Sequence, residues 1–171
     1  MMKKILLILS FFICLLMGQS AFASSSSYPD YLGGDSNYIL VDGHQGIGYY
    51  LDKSSIYLEK DDPKLAILQF NVCTVNNAID GATDISRVMT TRMFYDREQF
   101  AMFTYNENAN KWNYINPQAP RAAVRGFMDG AEMAYYITFG KKFYGSRLWA
   151  IPGINPPQYL PFHSDEFYAR A

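Results

Sequence analysis

The chain has 171 residues, a formal net charge of −1 and a charged fraction of 18%. This balance argues against a nucleic-acid-binding protein, because such proteins carry Lys and Arg clustered on one face. Aromatic residues make up 16% of the chain. They supply a large apolar area for a core and leave some tyrosines for the surface.

The first 23 residues have the three parts of a cleavable secretory signal peptide. Lys3 and Lys4 precede an apolar run at residues 5–17, and residues 21–23 give the small-x-small pattern that signal peptidase accepts. The apolar run is shorter than the about 20 residues that cross a membrane. A lipoprotein signal at Cys14 is disfavoured, since isoleucine precedes it. The sequence predicts an exported protein, in the periplasm, at the cell surface or outside the cell, with no membrane span after cleavage.

Cleavage after Ala23 leaves 148 residues with 13 basic and 16 acidic side chains, the size of one domain. After the signal peptide we expect a flexible, serine-rich leader at residues 24–37. An α+β domain should then occupy residues 38–145. Several prolines follow, which predict an irregular tail at residues 146–171.

Alternation of apolar and polar residues predicts β-strands through the first part of the domain. Strands are expected at residues 38–42, 47–52, 55–59, 64–75, 88–95, 100–106 and 111–115. The short connections at residues 96–99 and 107–110 favour antiparallel pairing of neighbours in a meander. Residues 64–75 have one apolar and one mixed face, which is typical of a sheet that water touches on one side.

After the strands the hydrophobic period changes to that of a helix at residues 121–139, with Gly140 as its C-cap. The apolar side carries Val124, Phe127, Met128, Ala131, Ala134, Tyr135 and Thr138. Arg125, Asp129 and Glu132 fall on the opposite, polar side. The predicted fold is therefore a single small α+β domain with an antiparallel meander sheet and one main C-terminal helix packed on it.

The predicted helix also carries a row of small residues spaced four apart, namely Ala122, Gly126, Gly130 and Ala134. Two glycines inside a helix cost about 1 kcal/mol each relative to alanine, so a close contact should offset that cost. Packing on the chain's own sheet is the favoured interpretation. A helix–helix contact in a homodimer is the alternative.

No residue pattern identifies catalytic chemistry or a metal or cofactor site. Cys73 is the only cysteine left after cleavage, which predicts a buried, inert thiol or, alternatively, an intermolecular disulfide. A nucleophilic thiol needs a nearby base, and neither His44 nor His163 lies near it in sequence. The two histidines also lack the short spacing of a zinc site.

Aromatic side chains are concentrated in the three last predicted strands. Tyrosine and tryptophan contribute a large share of the energy at protein interfaces. If these side chains lie on the outer face of the sheet, Tyr95, Tyr105, Trp112 and Tyr114 are the candidate binding surface.

The sequence YYLDKSSI at residues 49–56 resembles the opening of the surface-adhesin protein E family. The likeness extends over residues 38–115, where a long second strand and a meander follow. The resemblance implies a small antiparallel sheet with a helix packed on one side. It also implies a role at the bacterial surface or in the periplasm, binding host or envelope proteins.

The expected function is that of an exported bacterial envelope or surface protein with a non-enzymatic, adhesin-like role in binding another macromolecule. One alternative is a periplasmic small-ligand carrier or hydrolase with a pocket near His44 or His163. Another is a structural homodimer built on the small-residue row. A deep pocket with converging polar groups would favour the first alternative.

Overall fold

An antiparallel sheet of six strands is the centre of the fold, with strands adjacent in sequence adjacent in the sheet. A computed structural model describes residues 27–119, 121–124, 126–144, 148–150 and 159–171. The strands are β1 (Tyr38–His44), β2 (Ile47–Asp62), β3 (Leu65–Val75), β4 (Ile85–Asp96), β5 (Ala101–Asn106) and β6 (Lys111–Ile115). Together with one main helix packed on the sheet, they confirm the predicted α+β meander.

Tight turns between the strands explain the meander. Gln45 and Gly46 connect β1 to β2 with backbone φ angles of 50° and 84°. Two consecutive positive φ angles in a two-residue loop match the right-handed twist of the flanking strands. Asn110 has a φ angle of 47° before β6, a conformation that asparagine tolerates better than most residues.

β2 is a single strand, where the sequence predicted two separated by a break. Its pairing with β3 shifts between Asp52 and Tyr57, so that the strand bulges rather than ends. The hydroxyl of Ser55 donates to the Asp52 carbonyl at 2.6 Å and accepts the N–H of Asn71 at 2.8 Å. The polar residues that signalled a break therefore satisfy the backbone inside a bulge.

The core lies between one face of the sheet and the main helix. Alternate residues of β3 are fully buried there, namely Ala66, Leu68, Phe70 and Val72. β4 and β5 contribute Met93, Tyr95 and Met102 to the same core. We call this side the inner face and the opposite side the outer face.

The predicted helix is interrupted at Gly126. A short helix α1 (Arg121–Val124) precedes it and the main helix α2 (Phe127–Phe139) follows it. Gly126 has a φ angle of 72° and a ψ angle of −46°, which an α-helix cannot contain. One continuous helix over residues 121–139 is therefore wrong, whereas Gly140 is confirmed as a left-handed C-cap with a φ angle of 64°.

The second side of α2 is covered by the C-terminal part of the chain, residues 159–171, which we call the C-terminal segment. It contains β8 (Tyr159–Pro161), paired with β7 (Leu148–Ala150), and the helical turn α3 (Asp165–Tyr168). Phe167 and Tyr168 are buried in the core. Where the tail was predicted to be irregular, its described residues therefore form short regular elements and complete the core.

The C-terminal segment buries the side of the helix that was expected to be polar and to face away from the core. Asp129 and Glu132 were assigned to the side opposite the core, yet both side chains are buried. Phe143 and Tyr144 pack in the same core together with Tyr168. α2 is enclosed on two sides, because aromatic residues that follow it in the sequence pack against its acidic side.

The predicted flexible leader at residues 24–37 packs on the sheet in its described part. The Gly46 N–H donates to the Tyr28 hydroxyl at 2.8 Å, and the Leu40 N–H donates to the Asp30 carbonyl at 2.9 Å. A small cluster forms under this segment on the outer face, made of Leu32, Leu40, Tyr50, Cys73, Val75 and Ala78. The leader thus covers one end of the outer face and leaves the other end open.

Candidate functional site

The open end of the outer face carries five aromatic side chains from three neighbouring strands. Strand alternation turns them away from the core. We call them the aromatic platform: Phe94, Phe103, Tyr105, Trp112 and Tyr114. In the sheet register, Phe103 lies between Phe94 and Tyr114, and Tyr105 is opposite Trp112.

The rings of the platform are in mutual contact. The ring centroid of Phe94 lies 5.4 Å from that of Phe103 and 5.7 Å from that of Trp112. Trp112 and Tyr105 are 5.1 Å apart, and Phe103 and Tyr114 are 5.6 Å apart. These tilted and edge-on arrangements are the favoured geometries of aromatic pairs, so the platform is held together before any partner arrives.

Arg92 joins the platform to a polar group beside it. Its guanidinium lies 4.9 Å from the ring centroid of Tyr105 and 5.1 Å from that of Trp112. It also donates to both carboxylate oxygens of Glu59, while the Gln69 amide donates to the same carboxylate at 3.2 Å. The hydrogen bond from Arg92 lowers the pKa of Glu59 below its ordinary value. The arginine is therefore fixed and its charge is compensated.

The four aromatic residues predicted as a binding surface fall into two groups. Tyr95 is 0% exposed and its hydroxyl donates to the Ala131 carbonyl at 2.9 Å inside the core. Its assignment to the surface is wrong, because its position in β4 turns it to the inner face. Trp112 and Tyr105 are half-buried on the outer face, and Tyr114 is 58% exposed there.

A cavity of about 500 Å³ lies where β1 meets the C-terminal segment. It is lined by residues 40–43, residues 161–164, Tyr28, Phe167 and Arg170, and we call it the histidine cavity. Its walls combine apolar and aromatic residues with the polar residues Asp42, His163, Ser164 and Arg170. Its volume is within the range of small-molecule sites.

His163 is held in the wall of this cavity. Its Nε2 atom lies 3.1 Å from Oδ1 of Asp129, and the two side chains are only 6% and 4% exposed. The imidazole stacks on Phe167 with a centroid distance of 3.8 Å and an interplanar angle of 9°. Of the two histidines, His163 lines the cavity, whereas His44 is half-buried at the end of β1 and is not part of its wall.

One turn further along α2, Glu132 is 0% exposed. Its Oε1 atom accepts the Phe143 N–H at 2.9 Å and the Tyr168 hydroxyl at 2.8 Å. Burial raises the pKa of Glu132 above its ordinary value, although these donors and His163 act in the opposite direction. Burial, followed by the charge of Glu132, raises the pKa of Tyr168 as well.

Three members of the small-residue row, Gly126, Gly130 and Ala134, face the core of their own chain. A Cβ atom added to Gly126 would lie 2.7 Å from the Tyr49 ring, and one added to Gly130 would lie 2.9 Å from Val72. Ala134 is fully buried in the same core, and Ala122 lies in α1. These contacts leave no room for a second chain at Gly126, Gly130 and Ala134.

Cys73 is a free, buried thiol beneath the leader. Burial raises its pKa, and the charge of Asp52 adds to the rise, which works against a reactive thiolate. Within the described ranges, no three His, Cys, Asp or Glu side chains converge in a way that could hold a metal ion.

Several site residues were missed at the level of sequence. Arg92 could have been found, because it alternates with Phe94 on the same face of β4 and therefore shares a face with the platform. Asp129 could not have been found in this way. Its partner His163 is 34 positions later, and nothing in the local pattern of either residue indicates that they meet.

Comparison of the sequence with protein-family models, curated proteins and solved structures found no match. In the described part of the chain, no helix is both long and apolar enough to cross a membrane. The aromatic platform and the histidine cavity are therefore interpreted from their own residues.

Proposed function

We propose that this chain is an exported bacterial envelope or surface protein that binds a protein partner through the aromatic platform, without catalysis. The observation that carries the proposal is the contact of Arg92 with Tyr105 and Trp112 beside the exposed ring of Tyr114. Tryptophan, tyrosine and arginine are the residue types that dominate binding energy at protein interfaces.

The charges beside the platform indicate the chemistry of the partner. Arg92 is paired with Glu59, so the charge of the guanidinium that contacts the rings is compensated. A polar recess of about 380 Å³ adjoins them, lined by Glu59, Gln69, Thr90, Arg92, Tyr105 and Glu107. An apolar centre with a polar margin matches the usual anatomy of a protein interface. We therefore expect a partner with an apolar contact residue surrounded by hydrogen-bonding groups.

The experiment is a pull-down from envelope and host-matrix extracts with the purified protein, followed by titration of each retained protein. Trp112→Ala should weaken binding by about 30-fold or more, the loss expected for a central interface residue. Val88→Ala is the matched control, because Val88 is 53% exposed on the same strand and face as Phe94 but lies outside the platform. Its affinity should stay within about twofold of the wild type.

Two results would contradict the platform as the binding surface. One is a partner whose affinity is equal for the wild type and Trp112→Ala. The other is retention of no protein together with hydrolytic activity in a broad substrate screen. Circular dichroism of each variant checks that the sheet is intact.

Export is supported by the signal-like residues 1–23 and by the resemblance of residues 38–115 to the surface-adhesin protein E family. If signal peptidase cuts after Ala23, the exported protein should begin at Ser24. Intact-mass measurement of the periplasmic and secreted fractions tests this. A mass that includes the first 23 residues would contradict cleavage.

A second candidate function is a periplasmic small-ligand carrier, and the histidine cavity favours it. His163, one of the two histidines beside which a ligand pocket was expected, is among the residues that line this cavity of about 500 Å³. A hydrolase at this position would use His163 as a base oriented by Asp129. The homodimer alternative is weakened, because Gly126 and Gly130 of the small-residue row contact the chain's own sheet.

A further inference from the structure

The six-stranded sheet has edges at β1, at the end of β2 that extends beyond β1, and at β6. A strand edge carries unpaired N–H and C=O groups that can pair with another chain, and proteins usually block it with bulges, charges or a covering segment. The edge at β1 is covered by the leader. Tyr31 forms a bridge to Ile39, and the Leu40 N–H donates to the Asp30 carbonyl. This edge is therefore closed to a further strand.

The end of β2 beyond β1, residues 53–62, is protected in other ways. Its pairing with β3 shifts at two places, between Asp52 and Tyr57 and between Leu58 and Lys60. The last four residues of the strand are all charged. Bulges and charges both disfavour the addition of another strand.

The edge at β6 lacks these protections. All five residues of β6 pair with β5 without a register shift, and the strand contains no proline and only one charged residue, Lys111. Among the described residues, no strand or loop pairs with the far side of β6. α2 packs on β1, β2 and β3, so it does not obstruct this edge. β6 is therefore the edge that is open to another chain.

The residues of β6 are complementary to those of a second β6. When two copies pair antiparallel about Asn113, Trp112 of each copy lies opposite Tyr114 of the other. Side chains directly opposite each other have Cβ atoms about 4.5–5.5 Å apart, and aromatic pairs at this spacing stabilise a sheet. Lys111 lies opposite Ile115, so no like charges meet. The two Asn113 amides, each with donors and an acceptor, face each other across the axis.

From the open edge and this complementarity we propose that two copies of the chain associate through β6 and join their six-stranded sheets into one continuous sheet. Each copy contributes the same surface, as in other twofold dimers. The contact uses the backbone of the edge and leaves the outer face of both sheets exposed, so the two aromatic platforms become one continuous surface. This dimer does not involve the small-residue row. It goes beyond the proposed function, because it forms without the protein partner.

Sedimentation velocity of the purified protein from about 10 µM to about 1 mM measures self-association. The mass should rise with concentration from that of a monomer toward that of a dimer. Asn113→Lys and Asn113→Asp each place like charges opposite each other at the axis and should weaken the dimer by at least about tenfold. Asn76→Lys and Asn76→Asp are the matched controls, because they introduce the same charges in the exposed turn after β3. They should leave self-association unchanged.

Two further measurements separate repulsion at the axis from loss of folding. An equimolar mixture of Asn113→Lys and Asn113→Asp brings opposite charges together and should recover the dimer. Amide hydrogen exchange of the wild type reports on the backbone of the edge. Alternate residues of β6 should exchange more slowly at high than at low protein concentration, because their N–H groups become paired.

Each outcome either supports or overturns the proposal. A monomer at every concentration overturns it and leaves partner binding by the platform standing. A dimer that persists in both Asn113 variants, or that forms without slower exchange in β6, has its contact elsewhere and also overturns it. Variants that stay monomeric when mixed contradict a symmetric contact at Asn113. Since Asn113 lies on the inner face, its variants keep the platform rings and should still bind the partner, so the two proposals fail separately.

Discussion

Glu132 sits at a position where an ionised side chain is costly. Its carboxylate is fully buried. One oxygen, Oε1, accepts both the Phe143 N–H and the Tyr168 hydroxyl. Removing a carboxylate from water disfavours its charged form, which is why burial raises its pKa. The stability of the protein should therefore depend on whether this residue holds a proton.

Glu132→Gln should flatten the pH dependence of stability. The ordinary pKa is 4.5, and the folded protein holds the proton above that pH where the unfolded chain has released it. Folding then takes up a proton, so the free energy of unfolding falls as pH rises from 4.5 through the raised pKa. Urea unfolding of both proteins between about pH 4 and 8 measures this difference.

The glutamine variant cannot release a proton, so its stability relative to the wild type should increase with pH across that window. Titrating groups remote from Glu132, such as Glu59, contribute equally to both proteins and cancel in the difference. A difference that does not change with pH would show that Glu132 has the same pKa in the folded and unfolded states.

The burial of Asp129 and Glu132 also marks the limit of prediction at the residue scale. Their spacing correctly assigned them to the side of the helix away from the sheet. The sequence could not show that this side is covered, because the cover comes from Phe143, Tyr144 and the C-terminal segment and not from the helix itself. Tyr95 was misassigned for a simpler reason. Alternation along a strand separates its residues into two faces but does not show which face packs on the core.

At the scale of elements, the turn at Gly126 decides how α2 approaches the sheet. The glycine combines a positive φ angle with contact against the Tyr49 ring, and both conditions exclude a side chain. Gly140 at the other end of α2 also has a positive φ angle, but nothing lies within 4 Å of an added Cβ atom. The two glycines form a natural pair for comparison.

Gly140→Ala should cost about 1 kcal/mol, the ordinary penalty for a left-handed non-glycine residue. Gly126→Ala should cost at least about 1 kcal/mol more, because the new methyl group must displace the Tyr49 ring. Denaturant unfolding of the two variants gives both values. Equal losses would mean that the ring moves aside freely.

The strands were easier to predict than the helix. Alternation in β3 and short loops between β4, β5 and β6 specify pairing partners locally, so the meander followed from the sequence. The bulge in β2 and the kink at Gly126 could not be predicted. Asp, Ser and Gly are found both where a strand or helix ends and where it continues with a local irregularity.

At the scale of the whole molecule, the C-terminal segment holds the helix against the sheet. Tyr168 stacks edge-on against Tyr136 of α2 with centroids 4.9 Å apart, and its hydroxyl donates to Glu132. The segment also brings His163 to Asp129. The core and the histidine cavity therefore depend on the same thirteen residues.

Tyr168→Phe should lower the free energy of unfolding by about 1–3 kcal/mol, because a buried carboxylate loses a hydrogen-bond donor. Tyr136→Phe is the matched control, since it removes a half-buried hydroxyl on the same aromatic pair. It should cost less than about 0.5 kcal/mol. Chemical denaturation measures both, and equal costs would show that the bond to Glu132 adds nothing.

The C-terminal cover also sets an order of events during biosynthesis. The acidic side of α2 is buried by Phe143, Tyr144 and the C-terminal segment, which are synthesised after the helix, so the core can close only late in translation. On the export proposed above, the polypeptide would pass a narrow translocation channel unfolded. Late synthesis of the covering residues would then delay closure of the core and keep the polypeptide competent for transport for longer.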